Sequence, residues 1–193
     1  MQVVKQNYFG QILLFLVVLC FCETFSSVAL TDQNNPKLLE LFKELKSTSD
    51  IDESRKIEKI IWGVWNYSGL PEVDNLMAKG SSFLASGNHT DAIRIFDAVV
   101  ALAPNFSEGW NKRATAHFLQ KNFGKSMRDI AHTLRLEPRH FGALSGMGLI
   151  LIEQGKNKAA LKAFRLALRI HPNLPGAKYN SSILSKMLEG SQS

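Results

Sequence analysis

The sequence contains very little cysteine. Only two of its 193 residues are cysteines, Cys20 and Cys22, and both lie in an apolar run near the N-terminus. If that run is removed, the rest of the chain has no thiol and forms no disulfide in any compartment. No segment shows the alternating, turn-punctuated pattern that is typical of a β-sheet. The sequence therefore predicts an all-α fold that is stabilised by helix packing.

Catalytic and metal-binding motifs are also missing. There is no Gly-x-Ser-x-Gly elbow, no Gly-x-x-x-x-Gly-Lys phosphate loop and no Gly-x-Gly-x-x-Gly after a strand. The five histidines lack metal-ligand spacing, and we expect His117 to be a hydrogen-bonded core residue rather than a base. We therefore expect no enzyme activity, no cofactor and no metal. An active site assembled from distant residues is the alternative, since motifs do not test it.

Residues 1–29 have the layout of a secretory signal peptide. Lys5 supplies a positive charge, Ile12–Cys22 is an unbroken apolar run of 11 residues, and Ser27-Val28-Ala29 places small residues before a cleavage point. The run is shorter than the roughly 20 residues needed to cross a bilayer. We expect an exported protein, with an uncleaved N-terminal membrane anchor as the alternative.

One pattern is written three times between Val73 and Pro172. Pro104, Pro138 and Pro172 lie 34 residues apart, and small or large apolar residues recur at fixed positions before them. With each proline at position 32, the recurring residues are Leu76, Trp110 and Leu144 at position 4; Gly80, Ala114 and Gly148 at position 8; Phe83, His117 and Leu151 at position 11; Ala92, Ser126 and Ala160 at position 20; and Phe96, Ile130 and Phe164 at position 24. Small residues let two antiparallel helices approach closely, large ones fill the space beside the crossing, and the proline ends the second helix.

This period and these residues resemble the tetratricopeptide repeat. The resemblance covers about half of the chain, in three repeats at 73–106, 107–140 and 141–172. It implies a right-handed helical-repeat solenoid whose first helices, the A helices, line a concave groove. The middle repeat matches least well, because His117, Ser126 and Thr133 replace the usual apolar residues.

Helical elements are predicted on both sides of the repeats. Residues 30–70 read as a helical hairpin, with Asn35 as the first cap, Pro36 at the first helical position and a capping box from Asp50 to Glu53. We expect this hairpin to cover the open end of the first repeat, with Trp62 and Trp65 packed there; a role as binding anchors is the alternative. Residues 173–193 are predicted to form a capping helix and a tail.

The resemblance implies which side chains face the groove, and it predicts a partner-binding site there. The predicted groove residues are Met77, Ser81, Leu84, Asn111, Thr115, Phe118, Ser145, Leu149 and Ile152. Asn111 is the strongest candidate, because a side-chain amide can both donate to and accept from a peptide backbone; its alternative is a bond to helical neighbours only. The carboxylate clamp of chaperone-binding relatives is absent, since its lysine and arginine positions hold residues such as Met77, Gly142 and Gly146.

The charge is uneven along the chain. Residues 30–106 carry 8 Lys/Arg against 11 Asp/Glu, a net −3, whereas residues 107–193 carry 14 against 5, a net +9. We predict a non-catalytic scaffold that binds a protein or peptide in the groove. The alternative is an electrostatic binder of anionic surfaces, such as membrane headgroups, through the basic half. Nucleic acid is not an expected partner, since few exposed aromatics are predicted. The resemblance to small exported repeat proteins of Gram-negative bacteria implies a periplasmic location.

Overall fold

The computed structural model describes residues 32–190, and they are helical apart from turns and short connections. The predicted leader and the last three residues lie outside this range. A short 3-10 helix at Asp32–Asn34 comes first. The α-helices that follow it are α1 (Lys37–Ser47), α2 (Ile51–Trp65), α3 (Pro71–Ala85), α4 (His89–Leu102), α5 (Ser107–Leu119), α6 (Phe123–Leu136), α7 (Phe141–Glu153), α8 (Asn157–Ile170) and α9 (Pro175–Gly190). The predicted all-α fold class is confirmed. None of the helices in this range is long and apolar enough to cross a bilayer.

Three helix pairs, α3/α4, α5/α6 and α7/α8, form the repeats, and each pair is joined by the same turn. In the first turn the backbone N–H of Gly87 donates to Leu84 and that of Asn88 to Phe83. The other two turns repeat both hydrogen bonds at the corresponding positions. Gly87 and Gly155 take φ values of +78° and +70°, the left-handed conformation that ends many helices. The middle turn places Lys121 there, at φ +58°.

The helix crossings follow the size rule that the sequence predicts. A methyl group on Gly80 would lie 2.6 Å from the ring of Phe96, and one on Gly148 would lie 2.6 Å from the ring of Phe164. The small residue of the A helix thus makes room for a large ring from its partner helix. In the middle repeat Ala114 faces the smaller Ile130, and both are buried in one cluster.

The N-terminal hairpin lies at a different place from the predicted one. Its core residues, among them Leu38 and Trp65, are buried in one cluster with Phe141 and Phe164 of the third repeat and Leu184 of α9. Trp65 is fully buried, so its predicted packing role is correct, but the prediction that the hairpin covers the first repeat is wrong. A hairpin placed there would have followed chain order, whereas this one folds back to the other end of the array.

Polar contacts join the N-terminal segment to the turns that follow the first and third repeats. The side chain of Gln33 donates to the carbonyl of Asn105 (2.6 Å) and accepts from the backbone N–H of Ser107 (3.1 Å). Farther along, Nε2 of His171 lies 3.2 Å from Oε2 of Glu58. This hydrogen bond holds the pKa of the Glu58 carboxyl below its usual value.

The first repeat needs no cover, because the side that α3 leaves exposed is largely polar. Glu72, Asn75, Lys79 and Ser82 are exposed and fall on one face of this helix. An end repeat with a polar outer face satisfies the requirement for a cap by itself.

The helix starts and the last helix differ from prediction only in detail. Asn35 accepts from the backbone N–H of Lys37 at 2.9 Å, so Pro36 precedes the first helical residue instead of occupying it. Asp50 accepts from the backbone N–H groups of Asp52 and Glu53, as its predicted capping role requires. Its own N–H donates to Oγ1 of Thr48 at 3.2 Å instead of to Glu53, so the second half of the predicted capping box is replaced. In α9, Leu184 is buried against the core.

Candidate functional site

A pocket of about 320 Å³ opens between α5 and α7, the A helices of the second and third repeats. Five of the nine predicted groove residues line it, and they come from both helices. These residues are Asn111, Thr115, Phe118, Ser145 and Leu149. Its size is at the lower end of the range for ligand sites, about 300–1,000 Å³.

The pocket lies where the middle repeat departs from the other two. Ala114, Ser126 and Ile130 line it, and they belong to the helix crossing of that repeat. In the first and third repeats the position of Ile130 holds Phe96 and Phe164, whose rings fill the crossing. Gly146, on the neighbouring helix, adds no side chain to the space. Ile130 in place of phenylalanine therefore helps leave room beside the crossing.

Sequence reasoning did not include these crossing residues in the site. A signal was present, because position 24 reads Phe, Ile, Phe and position 20 reads Ala, Ser, Ala. The smaller side chain in one repeat indicates unfilled space there.

The other four predicted groove residues do not line this pocket. Met77 is buried in the cluster of the first repeat, where it packs with Val73 and Phe96. Leu84 packs against the same cluster, Ile152 packs against the cluster of the third repeat, and Ser81 is half-buried outside the pocket. Any contact of these four with a partner stays a prediction.

Asn111 is held by a buried polar group next to the pocket. Its Nδ2 donates to Oε2 of Glu108 at 2.9 Å, and Nε2 of His140 lies 2.9 Å from the same oxygen. Glu108 and His140 are fully buried. The other Glu108 oxygen, Oε1, lies 3.4 Å from Nζ of Lys112. The predicted alternative, in which Asn111 bonds to a helical neighbour, is thus present in the structure, although the residue also lines the pocket.

The tautomer of His140 follows from its two contacts. Its Nδ1 accepts from the backbone N–H of Ala143 at 3.1 Å, where it caps α7. Because that nitrogen is the acceptor, Nε2 carries the proton and donates to Glu108. The ring also stacks on Trp65, with centroids 4.2 Å apart and an interplanar angle of 8°.

The hairpin forms one boundary of the groove. A methyl group on Gly142, which lines the pocket, would lie 2.7 Å from the indole of Trp62. Glycine at this position lets α2 approach α7. By contrast, Gly146 has only Ile130 near it, at 3.7 Å, so no close contact requires glycine there. Close approach of a neighbouring side chain therefore accounts for glycine at Gly142 and Gly148 but not at Gly146.

His117 is buried, as predicted, but its Nδ1 has no hydrogen-bond partner among residues 32–190. Burial lowers the pKa of its imidazole, so the neutral form is favoured. It lies beside Arg113, which donates to both oxygens of Asp129 at 2.8 Å and to Asp97 at 2.7 Å. No group of three or more His, Cys, Asp or Glu side chains within residues 32–190 is arranged to hold a metal ion.

The cationic and imidazole side chains of the second inter-repeat turn are engaged within the protein. Arg139 makes two hydrogen bonds to Glu137, at 2.8 and 2.7 Å, and covers the ring of Phe42, while His140 is buried. The exposed cations of the basic half instead include a stripe on α8. It consists of Lys158, Lys162, Arg165 and Arg169, which border an open depression with Leu161 and Leu168.

Comparison with known proteins agrees with the helix pairs and their spacing. The family described as "Tetratricopeptide repeat" matches residues 77–131 and 128–175. The chain belongs to the tetratricopeptide repeat family. It is also 38% identical over 156 residues to a TPR repeat-containing protein of Rhizobium etli, a match that covers 81% of this chain and 76% of that protein.

Solved structures show the same fold. The TPR domain of Sgt2 from Aspergillus fumigatus superposes with a TM-score of 0.60 at 21% identity, covering 64% of this chain and 83% of the other. The first TPR domain of Spaghetti (RPAP3), solved with the HSP90 peptide SRMEEVD, gives a TM-score of 0.58 at 23% identity, covering 61% and 93%. At this level of identity the likeness is one of fold.

Proposed function

We propose that this TPR protein is a non-enzymatic scaffold that holds a segment of a partner protein in the groove between α5 and α7. The observation that carries the proposal is the open, mainly apolar pocket to which both A helices contribute. Apolar pockets with a few placed polar groups are the usual form of a binding site. Solved TPR domains with the same fold hold peptides, such as the HSP90 peptide in Spaghetti, which supports this use of the groove.

The test is partner capture with matched double variants of the full chain. Asn111→Ala/Phe118→Ala changes two pocket residues, whereas Ser81→Ala/Leu84→Ala changes two predicted groove residues outside the pocket. Circular dichroism should show that both variants remain helical. We expect a protein that the wild type and the Ser81/Leu84 variant retain and the Asn111/Phe118 variant loses. Equal retention by all three would contradict the proposal.

We further propose that the protein is exported, with residues 1–29 acting as the leader and the periplasm as its location. The positive residue, the apolar run and the small residues before the cleavage point support this. N-terminal sequencing of the protein purified from its native host tests it. A mature start after Ala29 is expected for a cleaved leader, whereas an intact N-terminus in the membrane fraction would favour the anchor.

A second candidate function is binding to an anionic surface through the α8 stripe. Its four cations are spaced by four, three and four residues, so they share one face of the helix. Sedimentation with phosphatidylglycerol vesicles at two salt concentrations tests this function. Salt-sensitive binding that Lys162→Glu/Arg165→Glu abolishes would support it, and equal sedimentation of that variant would exclude the stripe as the site.

A further inference from the structure

The lining of the groove pocket carries no charge. Its twelve residues include no Asp, Glu, Lys, Arg or His. The nearby Lys112 lies 3.4 Å from Glu108 and so already has an anionic partner. A ligand carboxylate in this pocket would lose water without gaining a cation, which is strongly unfavourable.

Two hydroxyl groups of the pocket use their protons within the protein. The hydroxyl of Thr115 donates to the carbonyl of Asn111 at 3.0 Å, and that of Ser126 donates to the carbonyl of Ala114 at 2.7 Å. At Thr115 and Ser126, therefore, only oxygen lone pairs remain for a ligand.

The orientation of the Asn111 amide also follows from its hydrogen bond within the protein. A carboxylate is acceptor-only, so the amide NH₂ of Asn111 must face Glu108, and Oδ1, which lies in the same plane, points away from that contact. Glu108 is held in turn by His140. The orientation of the amide is thus fixed by a buried group, and Oδ1 is the acceptor that Asn111 can offer to a ligand in the pocket that it lines.

We propose that the pocket binds an uncharged apolar side chain from within a partner chain, and that Asn111 Oδ1 accepts the adjacent backbone N–H. This inference rests on the proposed function and names the chemistry of the partner. Phe118, Leu119 and Leu149 supply the apolar contacts, and the last two are 45% and 38% exposed. A ligand that places a free chain-end carboxylate in this pocket is disfavoured, because the lining has no cation.

The test uses two small probes that differ only in the group in question. N-acetyl-leucine methylamide has an apolar side chain, two N–H donors and no charge, whereas N-acetyl-leucine ends in a carboxylate. Each is titrated into the full chain while the backbone amide signals of Thr115 and Ser145 are followed by NMR. We expect the methylamide to bind about tenfold more tightly than the acid. Equal affinity, a preference for the acid, or no response to the methylamide would overturn the inference.

Variants show where the methylamide binds. Gly146→Leu should fill the pocket and abolish the response, because the first carbon has room beside Ile130 and the rest projects into the pocket. Gly63→Leu is the matched control, since in the described part of the chain no atom that could clash lies within 4 Å of the carbon added at this helical glycine. A response that survives Gly146→Leu places the probe elsewhere and contradicts the inference.

The same variants separate this inference from the proposed function. If Gly146→Leu loses the captured partner but the probes show no preference, the groove is the binding site and only the chemistry is wrong. If Gly146→Leu and Gly63→Leu both capture the partner as the wild type does, the groove function itself fails.

Discussion

The second repeat differs from its two neighbours in the residues that pack at the helix crossing. The first and third repeats place a glycine against a phenylalanine ring at the helix crossing, which leaves little space between the helices. The second repeat uses Ala114 and Ile130 there, and the pocket opens beside them. It also carries buried polar groups, among them Glu108 and His117. The first and third repeats have closely packed crossings. The second repeat departs from their glycine–phenylalanine pair at the place where the proposed binding pocket lies.

The largest stability effect should come from disturbing an outer crossing. Gly148→Ala places a methyl group 2.6 Å from the Phe164 ring, so the ring or a helix must move. We expect the free energy of unfolding to fall by about 2 kcal/mol, measured by urea denaturation. Gly146→Ala, two residues earlier on the same helix, is the control: it should be neutral or stabilising, because alanine favours helix by about 1 kcal/mol. Equal losses in both variants would contradict the size rule.

The next effect is smaller and is a gain in stability, expected when the middle repeat is made to resemble its neighbours at position 11. His117→Leu removes a buried imidazole whose Nδ1 has no hydrogen bond and introduces the residue found at Leu151. The free energy of unfolding should rise by about 1 kcal/mol at neutral pH.

That gain should depend on pH. Burial holds the pKa of the His117 imidazole in the folded protein below its ordinary value of 6.5. The unfolded chain therefore takes up a proton first, and the wild type loses stability as the pH falls from above 6.5 through the lower folded pKa. The variant's advantage should grow over that window in urea titrations at a series of pH values. An advantage that is constant with pH would show that His117 is not titrating as described.

The smallest effect is expected at the turn of the middle repeat. Lys121 has φ +58° where Gly87 and Gly155 occupy the same position in the other turns. Lys121→Gly should raise the free energy of unfolding by roughly 0.5–1 kcal/mol, because glycine takes this conformation without the cost of a Cβ. Thermal unfolding measures it, with Gly155→Ala expected to change stability in the opposite direction. A loss of stability in Lys121→Gly would contradict the strain at this turn.

The sequence predicted the helix pairs because their signals are local. These signals are the 34-residue proline spacing, the recurring small residues and the turn glycines. Each can be read within one repeat or between adjacent repeats. The place of the N-terminal hairpin depends on distant contacts, such as Glu58 with His171 and Trp62 with Gly142. Nothing in the local pattern around Trp62 names the third repeat as its neighbour, so chain order suggested the first repeat.

The candidate site was predicted only in part, because it too depends on how separate helices pack together. Helical periodicity identifies the face on which Thr115 and Phe118 lie, but it does not say where adjacent helices leave space. The pocket depends on the size of Ile130 relative to the ring in the other repeats, a difference that matters only once the helices are packed. Met77 lies on the predicted face and is nevertheless buried in the core of its own repeat.

The most direct test of the account is to give the middle repeat the crossing of its neighbours. The variant Ala114→Gly/Ile130→Phe should remain folded, because the first and third repeats already pair these residues, and the new ring should fill the pocket. Partner capture by this variant, compared with the wild type at equal helicity, is the measurement. The account predicts that the variant loses the captured partner. A stable variant that still captures it would show that the pocket is not the binding site.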